Sequence, residues 1–468
     1  MKFARLKDFY LTYIFMILFV GVGLLAGSGT LEAASYQNLT LEESLEIAME
    51  NNRGLLASGE ELKGVATSIE MAEAGRYPKI SLSASYLRMG GTDSETIEMD
   101  NQAPPGMGEF IDQLNQAFEQ PDTAFQTEFS LQQPIYTFGR ITAGIEQAEA
   151  GYRAAEAGFE GDRQELIHEV ITTYNNALLA EKMLELQHEI KEQAEGHLEV
   201  VDSNLEAGMV TELDRYEAKV ALSEVEQEIV EAESNLAMAK EGFRSLLGLE
   251  RGTEIGLAGS GEGAFASLEA EVLAEADRNE LIDLEDNPRL EALDQQQAAS
   301  EASLELAEAE RFPTLALVGN YTWEDEEFGF ANNSWSLGIN LSFDIFDGGQ
   351  RQAEIKQAEA ELKQLEYEQE EAEDGLYIEA QRALNAFYDA ISQEELTAEM
   401  EEQAEKQLDL AELRYSEGVG TSTDVLDARA GYSQARLAAE EARFKRIEAL
   451  ADLYLVLGQA EQLVEEVK

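Results

Sequence analysis

The stretch "YSEGVGTSTDVLDA", Tyr415 to Ala428, interrupts a long run of helical sequence with two glycines and then restarts it at once. A weaker copy, "LEAGMVTELDRYEA", begins 210 residues earlier, at Leu205. Glycine is common just after a helix ends, and a threonine followed three residues later by an acidic residue is typical of a helix start. The two stretches therefore predict sharp turns between helices, at corresponding places in a duplicated chain.

The rest of the sequence supports this duplication. The segment "AGRYPKISLSASY" at Ala74 is matched by "AERFPTLALVGNY" at Ala309, and "PIYTFGRITAGIEQAEA" at Pro134 by "DIFDGGQRQAEIKQAEA" at Asp344. Each half reads helix, strand, strand, long helix and helix. The pattern predicts a first repeat at 35–249, a glycine-rich linker or equatorial segment at 250–286 with room for small elements of its own, a second repeat at 287–460 and a C-terminal tail at 461–468.

Each half contains one very long helical segment. These runs, about Arg140 to Glu206 and Arg351 to Glu417, would each extend on the order of 100 Å. Helices of that length need neighbours along all of it, as in a coiled coil. The two glycine-containing turns, near residues 208 and 418, would be the tips of helical hairpins.

Each half also contains two segments with the period-two alternation of β-strands. The alternation predicts strands at about 79–88, 124–136, 314–323 and 334–345. Strands of a half-buried soluble sheet and of a membrane barrel give the same pattern. Aromatic residues lie near the strand ends, and both tryptophans, Trp323 and Trp335, lie on these strands. We therefore interpret them as membrane strands with an interfacial aromatic belt.

Composition narrows the classes of function. The chain has 468 residues, 95 acidic against 33 basic, and a formal net charge of −62, which argues against binding nucleic acid. Adaptation to high salt and a pore that favours cations both remain open as reasons for the acidity. Residues 1–34 have the basic start, apolar run and small residues of a signal peptide. An uncleaved membrane anchor stays open because the apolar run is long.

Nothing in the sequence predicts an enzyme, a metal site or a cofactor. There are no cysteines, and His168, His188 and His197 do not have the spacing of a zinc pair on one helix face. We interpret these histidines as surface or seam residues. No nucleophile elbow or phosphate loop occurs, and acidic pairs are too abundant to single out any catalytic carboxylates. A secreted or anchored acidic coiled-coil structural protein is the alternative, although it leaves the duplicated amphipathic strands unexplained.

Taken together, these features resemble the TolC-like outer-membrane efflux family. The most specific parts are the "GxxTxxDVLDA" break, the "NP" helix start at Asn287–Pro288 and the "R[YF]P" turns at Arg76 and Arg311. The resemblance implies a mainly α fold with membrane β: a homotrimer with a 12-stranded outer-membrane β-barrel continued by a long α-helical barrel in the periplasm. It also implies an exit duct for a tripartite efflux pump or type I secretion system, with an adaptor, an inner-membrane transporter and outer-membrane lipid as partners.

The resemblance also assigns roles at the two tips. From the residues themselves, Thr211, Asp214 and Thr421 are predicted helix caps, and capping accounts for Asp424 better than for Asp427. By resemblance, Asp424 and Asp427 match aspartates that ring the periplasmic entrance, and Tyr415 matches a tyrosine of its latch. The latch arginine is replaced by Gly420, so the resemblance implies a gate without that latch. The implied adaptor contacts are Gly208, Val210, Gly418 and Val419.

Overall fold

A computed structural model describes residues 36–88, 113, 123–259, 265–274, 281–325 and 332–467. The predicted signal peptide and most of the loop between the two strands of the first half lie outside these residues. The helices are α1 (Leu41–Asn51), α2 (Arg53–Ala74), α3 (Arg140–Glu206), α4 (Glu212–Leu246), α5 (Ala266–Ala274), α6 (Pro288–Ala309), α7 (Gln350–Ser416), α8 (Ser422–Val456) and α9 (Glu461–Val467). The strands are β1 (Tyr36–Leu39), β2 (Lys79–Arg88), β3 (Thr123–Tyr136), β4 (Ile255–Leu257), β5 (Thr314–Asp325) and β6 (Asn333–Ser342).

Corresponding helices in the two halves have equal lengths. The long helices α3 and α7 each contain 67 residues, and α4 and α8 each contain 35. None of the helices within the described ranges is long and apolar enough to cross a bilayer. Equal lengths are what a duplicated chain would give, and they also bring both hairpin tips to the same end of the molecule.

Strands from both halves form one antiparallel sheet in the order β2-β3-β5-β6. Pairing of β3 with β5 joins the halves, since β3 belongs to the first repeat and β5 to the second. β2 and β6 are the two edges, and every residue of both is exposed. Within the described residues, the sheet therefore ends in two strands whose outer backbone groups have no neighbouring strand.

The register aligns the alternating side chains of all four strands. Leu82 lies opposite Phe129, Phe129 opposite Tyr321, and Tyr321 opposite Trp335. The other face is mostly polar, and the Ser81 and Ser130 hydroxyls lie 2.6 Å apart on it. One face of the sheet is consequently apolar and the other polar. The most exposed apolar side chains of the edge strands are Ile80, Leu82, Tyr86, Trp335, Leu337, Ile339 and Leu341.

A hydrophobic core lies around the middle of α3 and α7 and the ends of α4 and α8, where the small elements collect. Tyr174 of α3, Phe243 of α4 and Phe387 of α7 are fully buried there together with residues of α1, α5, α8 and α9. The Tyr174 hydroxyl donates to the carbonyl oxygens of Leu39 (3.1 Å) and Ala258 (2.6 Å), which fixes the parallel β1–β4 pair to α3. Burial raises the pKa of Tyr174 to about 12, so it remains a donor.

Three short segments have structure that the sequence pattern did not specify. The opening helix of the first half is two helices, because Asn52 ends α1 and caps α2 by accepting from the Leu55 amide. The linker contains β4 and α5, and residues 461–467 of the presumed tail form α9. Each of these segments contributes side chains to the core, and that stabilisation depends on distant partners rather than on local pattern.

The same joint occurs in both halves where a short helix meets the end of a hairpin. The side-chain amide of Asn52 donates to the carbonyl oxygen of Leu246 at 2.9 Å. The side-chain amide of Asn287 donates to the carbonyl oxygen of Val456 at 3.0 Å. The glycine that follows each hairpin, Gly458 in the second half, has a positive φ, and a Cβ there would lie 2.9 Å from Pro288. The "NP" start at Asn287–Pro288 therefore stabilises the contact between α6 and the end of α8 as well as the start of α6.

Candidate functional site: the hairpin tips

Both hairpin tips turn by the same hydrogen-bond pattern. The Gly418 amide donates to the Tyr415 carbonyl oxygen (3.0 Å) and the Val419 amide to that of Arg414 (2.9 Å). Gly418 has φ +73° and Gly208 has φ +70°, a left-handed conformation that glycine adopts at little cost. The first tip repeats both bonds through Gly208 and Met209. Two Schellman-type turns therefore end α3 and α7.

Each following helix begins with a capping box. Thr421 Oγ1 accepts from the Asp424 amide (3.1 Å), and the Asp424 carboxylate accepts from the Thr421 amide (2.9 Å). Thr211 and Asp214 form the same pair at the start of α4. The Thr421 amide and hydroxyl lower the pKa of Asp424 by stabilising its carboxylate. Asp424 is thus an exposed, ionised cap.

Asp427 lies one turn further along α8 and differs from Asp424. It is exposed, and the described residues provide it with no hydrogen bond or ion pair. Residues three apart lie on the same helix face, so the Asp427 and Asp424 carboxylates project from one side of α8. Val425 and Ala428, about 100° further round the helix, are buried against Leu408 of α7. A helix start needs only the first of the two carboxylates.

Tyr415 and Gly420 lie close together at the turn. Tyr415 is half-buried against Leu408 and Val425, and its hydroxyl lies 3.5 Å from the Asn204 amide nitrogen of α3. A Cβ at Gly420 would lie 3.0 Å from the Tyr415 backbone nitrogen, so a larger residue would require the turn to shift. Gly420 is therefore part of the turn itself.

The outermost side chains of the tips are apolar. Val419 is 69% exposed and Met209 is 70% exposed, whereas Val210 is half-buried. Met209 was not singled out from the sequence; its place directly after Gly208 is the signal that could have found it. Within the described ranges, no group of three ligating side chains is arranged to hold a metal ion.

Comparison with known proteins identifies the family. The model of the outer membrane efflux protein family matches residues 44–249 and 283–459. The chain belongs to this family. The predicted family is thereby confirmed, and the outer membrane efflux protein is a channel component rather than the coiled-coil structural protein considered as the alternative.

Relatives match this outer membrane efflux protein along most of its length. Outer membrane protein OprJ of Pseudomonas aeruginosa is 25% identical over 433 residues, which cover 89% of this chain and 84% of OprJ. Outer membrane protein TolC of Vibrio cholerae is 24% identical over 442 residues, which cover 92% and 93%. The family and these relatives place the protein in the outer membrane, as the sequence predicted.

Solved structures share its fold. A crystal structure of CusC matches with a TM-score of 0.74 at 20% identity, covering 90% of this chain and 95% of CusC. The open state of the MtrE outer membrane channel of Neisseria gonorrhoeae matches with a TM-score of 0.69 at 21% identity, covering 90% and 89%. The predicted fold class, mainly helical with long helices and a smaller sheet, is confirmed.

The cap at Thr421 can be tested on its own. We expect Thr421→Ala to destabilise the first turn of α8 by about 1 kcal/mol, because the Asp424 amide loses its acceptor. Amide hydrogen exchange across residues 422–426 should quicken correspondingly. Thr421→Ser keeps the hydroxyl and serves as the control. Equal exchange in Thr421→Ala and Thr421→Ser would contradict a capping role.

Proposed function

We propose that three copies of this chain form the outer-membrane exit duct of a tripartite efflux pump or type I secretion system. The observation that carries the proposal is the sheet, which has two exposed edge strands, one apolar face and one polar face. An open edge is not tolerated in lipid, because each unpaired backbone group there costs several kcal/mol. Pairing β6 of one copy with β2 of the next removes every edge. Three copies of four strands then make a 12-stranded barrel.

The strand lengths and their aromatic ends suit a bilayer. The four strands have 10 to 14 residues, and a membrane strand needs roughly 9–11. Trp335 and the paired Trp323–Tyr321 rings, 4.5 Å apart, lie near one end of the apolar face. At the other end, Phe138 stacks on Phe312 at 5.4 Å. Aromatic residues at both ends are typical of membrane barrels, and the face between them would contact lipid.

The helices support a closed ring as well. Within the chain, α6 packs against both long helices, α3 and α7. Its first-half counterpart α2 packs against α3, yet none of its residues is buried. By the symmetry of the duplication, the free side of α2 would contact α7 of the neighbouring copy. A homotrimer gives every α2 such a partner.

The hairpin tips would then form the periplasmic entrance. Three-fold symmetry would bring six carboxylates, Asp424 and Asp427 of each copy, around one opening, with Tyr415 behind them. The exposed Val419 and Met209 side chains, beside Gly418, Gly208 and Val210, would meet a periplasmic adaptor that links the duct to an inner-membrane transporter. A surface of small and apolar residues at a turn suits packing against another helical hairpin.

Extraction and sizing test the assembly. We expect the full chain to require detergent, to elute as a trimer, and to form cation-preferring pores in planar bilayers. The cation preference follows from the net charge of −62 and the carboxylates at the entrance. A detergent-free monomeric rod that forms no pores would refute the proposal.

A further inference from the structure

A buried histidine joins the two hairpins just below the tips, and no role proposed so far uses it. His197 of α3 is 6% exposed. Its Nε2 lies 3.0 Å from Oγ of Ser422, the first residue of α8, which is 1% exposed. The imidazole also lies against the Tyr415 ring, with 5.7 Å between centroids. The first hairpin therefore holds the very turn of the second hairpin that carries Asp424.

The strongest neighbouring charge is positive. Arg429 of α8 is 9% exposed, donates to the Gln193 carbonyl oxygen of α3, and pairs with the Glu412 carboxylate of α7 at 2.6 Å. Its Nε is buried and has no hydrogen-bond partner in the structure. Glu412 is occupied by Arg429 and about half exposed. A second cation at His197 would thus have to share with Arg429 the carboxylate that acts on it.

Two charged groups of α4, the remaining helix, bind other partners. From α4, Arg215 pairs with Asp202 of α3 at 2.7 Å, and Glu217 accepts from the Thr423 hydroxyl at 3.2 Å. Burial and the charge of Arg429 lower the pKa of His197 to about 4, with Glu412 acting in the opposite direction. His197 is therefore neutral in the packing seen in the structure. The hydrogen bond to Ser422 would survive protonation, so the cost of the proton is the buried charge beside Arg429.

We propose that His197 is an acid-sensitive positioning residue that couples the two hairpins and sets how far the tips open. While neutral, it keeps Ser422, and with it the turn bearing Asp424 and Asp427, packed against α3. When protonated, it is repelled by Arg429 and gains hydration if α8 moves away from α3, so acid favours the open tip. This role rests on the channel function proposed above.

The size of the effect follows from linkage. A histidine freed into water has a pKa of about 6.5. A conformation that holds the histidine at a lower pKa loses stability as the pH falls from the free pKa to the lower one. If the open tip frees His197 and the packing of the structure holds its pKa at about 4, the ratio of open to closed tips should rise about 30-fold per subunit between about pH 7.5 and about pH 5. The closed state loses stability on acidification and regains it toward neutral pH.

Conductance of the full-length trimer in planar bilayers tests this. The Asp424→Asn/Asp427→Asn background removes the gate carboxylates, whose own protonation would complicate the acid response. In it, we expect open probability to rise steeply on acidification. His197→Asn should abolish that rise, because asparagine does not titrate. His188→Asn is the matched control, since His188 is exposed on the same helix and should leave the rise unchanged.

A second variant tests the role of the buried charge without changing the histidine. Arg429→Gln removes the repelling charge, raises the pKa of closed-state His197 and should shrink the acid response. An acid response that survives both His197→Asn and Arg429→Gln would overturn the proposal while leaving the channel function intact. Absence of conductance in every form at every pH would instead contradict the channel function, and this proposal with it.

Discussion

Asp424→Asn/Asp427→Asn channels should lose block by divalent cations, with the dissociation constant of the blocking ion rising at least about tenfold for each ring removed. Each carboxylate contributes on the order of 1 kcal/mol of attraction to a divalent ion a few Å away in water, and three are lost per ring. Asparagine retains the side-chain acceptor of the Asp424 cap, so the change removes charge rather than the helix start. The measurement is single-channel current against cation concentration.

Asp427→Asn alone is the sharper of the two tests, because Asp427 has no capping role. Asp214→Asn is the matched control, since Asp214 caps α4 as Asp424 caps α8 but is not assigned to the entrance. We expect divalent cations to block the Asp214→Asn channel as strongly as they block the unmodified channel. Unaltered block in Asp427→Asn, or equal loss in Asp214→Asn, would remove the gate assignment and leave a general acidic surface as the cause.

Leu337→Arg should strongly reduce the amount of folded trimer in the outer membrane. Leu337 lies mid-strand on the apolar face of β6 and is 62% exposed in the single chain. In the proposed barrel it faces lipid, where an arginine near the bilayer midplane costs about 2–4 kcal/mol per chain. The checks are trimer yield in the outer-membrane fraction and the denaturant midpoint of trimer refolded in liposomes.

Ser336→Arg is its matched control, because Ser336 is the adjacent residue on the opposite face at nearly the same depth. That face would line the water-filled lumen, so we expect trimer yield close to that of the unmodified chain. Equal losses in Leu337→Arg and Ser336→Arg would mean that neither face is specifically in contact with lipid. Equal tolerance of both would contradict a membrane sheet altogether.

The tips were the most predictable part of the molecule, and the reason is local. A glycine at a helix end, a threonine at the next start and an acidic residue three positions later interact within one turn of each other. Thr211 and Thr421 accordingly occur as N-caps. The gate and adaptor roles are different in kind, because they depend on other copies and other proteins, and they stay predictions.

The least predictable parts depend on residues far apart in sequence. His197 was interpreted as a surface or seam residue, and no pattern around it indicates that Ser422 and Arg429, more than 200 positions later, enclose it. The break at Asn52 was missed for a similar reason, since the carbonyl oxygen that its amide reaches belongs to Leu246. A local window contains neither partner.

The sequence by itself determined the duplication, the family, the helix lengths, the two turns and the apolar and polar faces of each strand, because each is written in spacings of a few residues or in direct repetition. The tertiary structure decided how the halves combine: β3 pairs with β5, α6 packs between α3 and α7, and α3 holds the first turn of α8. Alternation specifies which side chains share a face but leaves the partner strand open, and only packing across the whole chain selects it.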